Sequence, residues 1–476
     1  MKRGDEIELL IEGTALEGKS VARVDGLVVF VRGAAPGDRV VARVTAVRKT
    51  FAEAETARVV EPSSVRAVPR CRFFGTCGGC TWQHVEYAAQ LEFKRRHVID
   101  ALERIGGFSG IGVNPTLGCA NPYRYRNKME FSFGDRWYDG AEWAGVQNRL
   151  PADAGERFAL GLHLPGRFDK VLDIDECWLQ PEISTQILNA VRTFAREQKL
   201  TVYSTATQTG YLRNLVLRTG RHTHDVMVNL VTFDNRPSVL EAFRERLLKE
   251  IPGITTIVNN ITRRQSQVAL GEEEVVWYGP GTITERIGKR VYRISANSFF
   301  QTNTEQAERL YDTAQRMAGL RPTDLVYDLY SGTGTIALHI ADHVRSVVGI
   351  ESVQSSVEDA TKNATANGVG NCLFVLGDLK ESLTRDTSWQ SEYGHPDVII
   401  LDPPRAGVHQ KVLQRIRRLA PRTVVYVSCN PATQARDLNI LCAEGLYSIE
   451  EIRPVDMFPH TFHIECVAGL SLHESS

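Results

Sequence analysis

Leu325-Val326-Tyr327-Asp328-Leu329-Tyr330-Ser331-Gly332-Thr333-Gly334-Thr335 decides the fold. Its first residues read as a buried strand, the two glycines as a tight turn, and Ile336 to Ala341 as the start of a helix. Ser346 to Glu351 follows as a second strand, ending in an acid 23 residues after Asp328. Strand, glycine turn, helix and strand in that order predict a parallel, doubly wound α/β sheet. Ligands of such sheets sit at the carboxyl ends of the strands, where an acid at this distance can accept hydrogen bonds from ribose hydroxyls. Further strands close at Leu376-Gly377-Asp378, at Leu401-Asp402-Pro403-Pro404-Arg405, and at Ser428-Cys429-Asn430-Pro431. A last strand runs from Cys466 to Leu472, just after Glu465.

The run Asp328-x-x-x-Gly332-x-Gly334, with Glu351 and Asp378 downstream, resembles the Rossmann-like fold that binds S-adenosylmethionine. The missing third glycine disfavours a dinucleotide. Asp-Pro-Pro at a strand end is where base-modifying methyltransferases hold their acceptor. Those acting on exocyclic amines place an aromatic next, whereas Arg405 stands here, which points to a ring carbon as the target. The C5 carbon of uracil is too weakly nucleophilic to attack a sulfonium methyl unaided. A thiolate added at C6 makes C5 enolate-like, and a base must later remove the C5 proton. Cys429 at a strand end and Glu465 in the segment Asp456 to Glu465 are residue types suited to those two tasks.

Upstream, Cys71, Cys77 and Cys80 form a C-x5-C-x2-C array with Gly78 and Gly79 between the last two. Three thiols so close indicate a metal centre, with Cys177 preferred over Cys119 as fourth ligand. Zinc is the competing occupant, but only one C-x2-C knuckle is present, which favours a [4Fe-4S] cluster. Before the array, residues 1-61 alternate short β-rich runs with Gly turns, as in a five-stranded OB-like barrel, and are similar to a TRAM domain. After it, Val85 to Ile105 reads as an amphipathic helix with Tyr87, Leu91, Val98, Leu102 and Ile105 on one inward stripe and Lys94, Arg95 and Arg96 off it. Residues 62-120 thus carry the array and its helix. Residues 121-290 read as an α+β domain, and 291-476 as the cofactor domain. Tyr123-Arg124-Tyr125-Arg126-Asn127-Lys128 interleaves rings and cations, a pattern suited to single-stranded RNA, so Arg124, Arg126 and Lys128 are candidate RNA contacts. The basic strand Tyr211 to Arg218 is expected beside it, and 135–157 as a polar loop or insertion.

The whole chain carries a net charge of -1 with 42% hydrophobic residues, so any RNA site is local rather than a global basic field. Nine cysteines, an odd number, argue against a disulfide framework. No signal-peptide core and no bilayer-length apolar run is present, which predicts a cytoplasmic, monomeric protein with no membrane partner.

Together with Ser295 to Asn303 and His460 to Glu465, these motifs resemble the RNA (uracil-C5) methyltransferase family. The barrel and cysteine array resemble its 23S ribosomal RNA branch. The resemblance implies an S-adenosylmethionine-dependent enzyme making 5-methyluridine in 23S rRNA, with Cys429 as nucleophile and Glu465 as base. It implies cofactor contacts at Gln301, Tyr330, Gly332, Glu351, Asp378 and Asp402. Phe299 and Arg405 would meet the target base, and Cys71, Cys77, Cys80 and Cys177 would hold the [4Fe-4S] cluster. The competing readings are a transfer-RNA enzyme of the same chemistry and a non-catalytic RNA-binding assembly factor.

Overall fold

The structure, a computed structural model, describes residues 1–134, 137–138, 158–265, 269, 271–381 and 388–473. Most of the expected loop 135–157 therefore lies outside the described residues. Among the described residues no helix is long and apolar enough to cross a membrane.

The first sixty residues form one six-stranded sheet, ordered Glu6–Leu10, Arg39–Val47, Phe51–Glu61, Leu27–Arg32, Ser20–Val24 and Gly13–Thr14. Val29, Val31, Val40, Ala42 and Ala52 fill its centre. The sheet has six strands where five were expected, and Phe51–Glu61 is its longest. The buried positions Ala52 and Ala54 of that strand are small, and small residues alternating with Glu carry little β signal.

The central region is an eight-stranded sheet in which Leu212–Thr219 pairs antiparallel with Lys128–Gly134, Leu217 facing Met129. The basic strand thus lies beside the aromatic-cationic segment, as expected. Helices Glu182–Glu197 and Pro237–Glu250 share its core through Ile187, Leu188, Phe194 and Phe243.

The cofactor sheet has seven strands in the order Cys372–Leu376, Ser346–Glu351, Leu325–Leu329, Val398–Leu401, Thr423–Ser428, Glu465–Leu472 and Tyr447–Val455. The first five are parallel, Glu465–Leu472 runs against them, and Tyr447–Val455 runs against Glu465–Leu472 and so along the first five. Reversal has a geometric consequence: Cys466 lies opposite Ser428, so residue 465 and residue 429 emerge at the same end of the sheet. The hairpin Thr282–Ile287 with Arg290–Ser295 packs Ile283, Ile287, Tyr292 and Ile294 into the core beneath this sheet. The expected boundary between 290 and 291 falls inside that hairpin.

Helix Tyr87–Arg104 departs from expectation in one residue that matters. Gln90, Lys94, His97 and Ala101 are its buried stripe, whereas Lys94 was expected outside. Lys94 meets Asp456 at 2.5 Å, both side chains being fully buried, and also donates to the Phe458 carbonyl at 3.1 Å. Tyr87 donates to the second Asp456 oxygen at 2.8 Å. The same loop is gripped from other sides by Gln306 on Asp456 O, Asn303 on Met457 O, and Tyr125 on Pro459 O. Thr81 and Trp82 donate backbone N–H groups to His460 O, and Gly18 of the barrel lies against Phe462. Three modules therefore converge on one loop, Asp456 to Ile464.

Removing one partner of a buried ion pair strands the other's charge, at a cost of about 3–5 kcal/mol. Lys94→Met should lose about that much in urea unfolding, and Lys94→Met with Asp456→Asn should regain most of it. Equal losses in the two variants would show that the pair is not what holds the loop.

Candidate active site

Strand Thr423–Ser428 is a run of β-branched and aromatic residues buried on both faces, and it ends because Pro431 cannot continue a ladder. Ser428 Oγ accepts from Asn430 N at 3.1 Å, which turns the chain at Cys429. Asn430 Oδ1 then caps helix Pro431–Leu441 by accepting from Ala432 N at 3.1 Å. Its Nδ2 donates to Arg405 O at 3.1 Å, and Thr433 Oγ1 donates to the same carbonyl at 3.3 Å. Asn430 thereby fastens the cysteine turn to the Asp402-Pro403-Pro404-Arg405 turn.

Cys429 is half-buried, and burial, then the neighbouring Glu465, push its thiol up to about 11, with Arg405 opposing. Glu465 is buried at the first position of its strand. Burial holds its carboxyl well above the usual carboxylate range, Asp402 adds to this, and Arg405 and Lys94 oppose it. Arg405 sits exposed at the mouth, 3.1 Å from His463 Nδ1. Burial and then Arg405 push His463 down to about 4, so its neutral ring accepts from the guanidinium. The Cys429 thiol and the Glu465 carboxyl thus share the influence of one exposed guanidinium, Arg405.

At the neighbouring strand ends lies a second group of acids. Asp328 is raised to about 8 by burial and then by Asp402, and Asp402 to about 7 by burial. Asp328 Oδ2 accepts from Ala337 N at 3.1 Å, while its Oδ1 and Ser331 Oγ are buried without partners. Glu351 accepts from Gly332, Ser352 and Val353 N–H groups. The turn between them is tight: Tyr330, Gly332 and Gly334 all have positive φ, and a Cβ on Gly334 would stand 2.6 Å from the Phe374 ring. An orphaned Asp328 oxygen beside Asp402 and Glu351 at a glycine turn suits a ligand bearing ammonium and sulfonium charges, as S-adenosylmethionine does. Asp378 is exposed at the edge of this group and accepts from Lys380 N at 2.8 Å.

Phe299 is 68% exposed, an unusual state for a large ring. Its loop is held from the central sheet, a support the sequence did not disclose. Arg218, buried, donates to the Ala296 and Ser298 carbonyls, and Asn127 Nδ2 donates to Gln301 O at 2.9 Å. A long-range guanidinium-to-carbonyl contact leaves no local pattern. The basic strand's other arginine, Arg213, likewise donates inward, to Thr262 and Arg264 carbonyls.

Cys71, Cys77, Cys80 and Cys177 line one cavity of about 380 Å³ together with Phe73, Leu162 and Trp178. Burial raises all four thiols, Cys77 to about 12. Cys119 is elsewhere, donating to Asn121 O. Among the described residues no group of three or more His, Cys, Asp or Glu is arranged to hold a single metal ion. Four thiols lining one cavity are the donor chemistry that a [4Fe-4S] cluster and zinc both use.

Of the candidate RNA contacts, Arg124 donates to the Cys177 and Gln180 carbonyls, and so braces the Cys177 turn. Lys128 pairs with Glu130 at 2.5 Å. Arg126 spends only its Nε, on Lys128 O, and lines the cavity between Cys177 and His463.

Comparison with known proteins agrees with this geometry. Residues 242–474 match the family described as tRNA (Uracil-5-)-methyltransferase, and residues 1–57 match the TRAM domain. An uncharacterized RNA methyltransferase of Chlorobaculum tepidum is 45% identical over 98% of this chain and 96% of its own. One of Bacteroides thetaiotaomicron is 43% identical over 96% of this chain and 100% of its own. The crystal structure of Pyrococcus abyssi tRNA (uracil-54, C5)-methyltransferase, in complex with S-adenosyl-L-homocysteine, superposes with a TM-score of 0.74. It is 30% identical, covering 98% of this chain and 100% of that one. The acids around the glycine turn and the paired Cys429 and Glu465 thus stand in a chain that belongs to the S-adenosylmethionine-dependent RNA (uracil-5-)-methyltransferase family and carries an N-terminal TRAM domain.

Proposed function

We propose that this enzyme makes 5-methyluridine in 23S rRNA through a covalent bond between Cys429 and uracil C6. The carrying observation is that Cys429 and Glu465 emerge at one end of the sheet beside the Asp402 to Arg405 turn. Asp328, Glu351 and Asp402, with Gln301, Tyr330, Gly332 and Asp378 around them, would hold S-adenosylmethionine, which would supply the methyl group. The Cys429 thiolate adds to C6, and the electron pair displaced from the C5–C6 bond is held as an enolate through O4. Arg405, the exposed cation at the mouth, favours the thiolate and the developing oxyanion alike. C5 would take the methyl group as the sulfonium S–CH3 bond breaks, its electron pair leaving on the sulfur of S-adenosylhomocysteine; the Glu465 carboxylate then removes the C5 proton, and the C6–S bond breaks to return the thiolate. Phe299 offers its exposed face to the flipped-out base. Arg126 and Lys128 meet the RNA, while Arg124 acts by bracing the cysteine turn.

Cys71, Cys77, Cys80 and Cys177 hold a [4Fe-4S] cluster that staples residues 62-120 to the central domain. The chain acts as a cytoplasmic monomer of four parts, 1-61, 62-120, 121-290 and 291-476, the last taking in the hairpin from Thr282. The TRAM barrel and the cysteine array support ribosomal RNA as substrate. Transfer RNA is the second reading, favoured by the tRNA substrate named for the Pyrococcus abyssi protein.

Separate methylation of purified 23S rRNA and tRNA decides between these readings: tritium from labelled cofactor should enter 23S rRNA at a single nucleotide class, 5-methyluridine. With 5-fluorouracil-containing RNA the wild type should form an adduct that survives denaturation. Cys429→Ala should form none and lose more than about a thousandfold in turnover, roughly 4 kcal/mol of barrier. Glu465→Gln should instead accumulate methylated, protein-bound RNA with normal uracil. Turnover by Cys429→Ala at wild-type rate would refute the covalent route.

The thiol at about 11 must ionise to react, so adduct formation should quicken from roughly pH 7 to pH 9. Arg405→Met removes a cation favouring the ionised forms. The rise should then move up by about one pH unit, read from single-turnover rates. For the cluster, anaerobically purified protein should be brown with a band at about 400 nm, and Cys177→Ser should bleach it; colourless protein containing zinc would exclude it.

A further inference from the structure

Beside the cysteine cavity, rings and guanidinium groups contact one another in series. The Tyr123 ring lies against His460, 4.2 Å between centroids and tilted by 31°. The Arg70 guanidinium carbon lies 4.8 Å from the centre of Tyr123 and 5.0 Å from that of Trp178. Arg124 lies over the same indole at 4.6 Å. The series therefore runs from the Cys177 turn to His460, in the loop that leads into Glu465.

Its members differ in how their polar groups are used. Arg124 donates to two carbonyls, and Arg72 pairs with Asp175 and Glu176. Arg66 pairs with Asp38. Arg70 is exposed and makes no hydrogen bond or ion pair with any described residue. Aromatic contact engages a guanidinium through its face and leaves the N–H edge available. An edge held by two rings has already lost much of the rotamer freedom that an arginine ordinarily gives up on binding. A planar fork of N–H donors fits the paired oxygens of a phosphodiester, and it does so bidentately.

We propose that Arg70 binds a backbone phosphate of the RNA, anchoring the strand one ring away from the loop that carries Glu465. The ligand is a phosphodiester and not a base edge, because nothing beside Arg70 reads one base over another. A chain of net charge -1 gains most from such fixed local cations, since a neutral global field contributes little to phosphate attraction. This inference rests on RNA as the substrate and is independent of which RNA that is and of the covalent route.

The test uses full-length protein, purified anaerobically, and the oligoribonucleotide spanning the uridine it methylates. Arg70→Gln should weaken binding about tenfold and lower the slope of log affinity against log salt by about one phosphate contact. Oligoribonucleotides bearing one neutral methylphosphonate each then locate the contact. Wild type should lose about tenfold at one linkage where Arg70→Gln loses nothing further, and both should lose alike at the others. Arg70→Lys should restore the salt slope but not the full affinity, because a point charge lacks the fork. Visible absorbance and melting temperature separate this role from a structural one, and should match wild type; if Arg70→Gln fails that control, Arg70→Lys carries the methylphosphonate comparison. Identical losses in wild type and variant at every linkage would overturn the proposal. A wild type that binds no RNA would instead overturn RNA as substrate.

Discussion

Lys94 and Asp456, neither with any exposed side-chain surface, meet at 2.5 Å where the cysteine-array helix crosses the loop before the last strand. An ion pair so placed is not an obvious source of stability. Desolvating two charges costs several kcal/mol each, and well-packed apolar residues often do as well. What the pair supplies is direction. A carboxylate admits one approach of an ammonium and a phenol, so Lys94 and Tyr87 fix the register of the loop that ends at Glu465. An apolar contact would let that loop slide. Because Gln306, Asn303 and Tyr125 reach the same loop from other elements, a shift in any module is felt at residue 465.

The same economy of charge governs the catalytic end of the sheet. Asp328, Asp402 and Glu465 are buried and all raised, with Asp402 raising the other two. Three acids kept close to protonated are costly unless a cation arrives to ionise them. Arg405 and Lys94 provide part of that from the protein, and a cationic methyl donor would provide the rest. Cofactor charge and carboxylate ionisation are therefore linked, and each favours the other. The thiol follows the same logic, since Glu465 opposes its ionisation and Arg405 favours it.

Much of this was legible in the sequence because it rests on local patterns. The strand and glycine turn at Leu325 to Gly334, the acid at Glu351 and the cysteine before Asn430-Pro431 each carry a period or a turn residue of their own. Strand Tyr447–Val455 escaped notice because its polar Glu450, Glu451 and Arg453 break the alternation. So did the inward course of Lys94, although Gln90, Lys94, His97 and Ala101 share one helical stripe. A lysine is read as solvent-facing until its partner is known, and that partner lies 362 residues away. The reversal of the last strand was equally invisible, yet it is what carries Glu465 to the cysteine's end of the sheet.

The arginines teach a related lesson about RNA recognition. Arg124, Arg213 and Arg218 sit in segments whose composition suggests a basic face, but each donates to backbone carbonyls of a neighbouring turn. Such carbonyls are short of donors where loops leave regular structure, and guanidinium, with five N–H groups, satisfies several at once. Arg218 in this way holds the loop that exposes Phe299, so a cation of the central sheet shapes a neighbouring loop rather than a basic surface. Basic residues on this chain therefore divide by their acceptors. Those already satisfied by carbonyls set the geometry, whereas Arg70 and Arg126, among the described residues of this region, keep unspent donors.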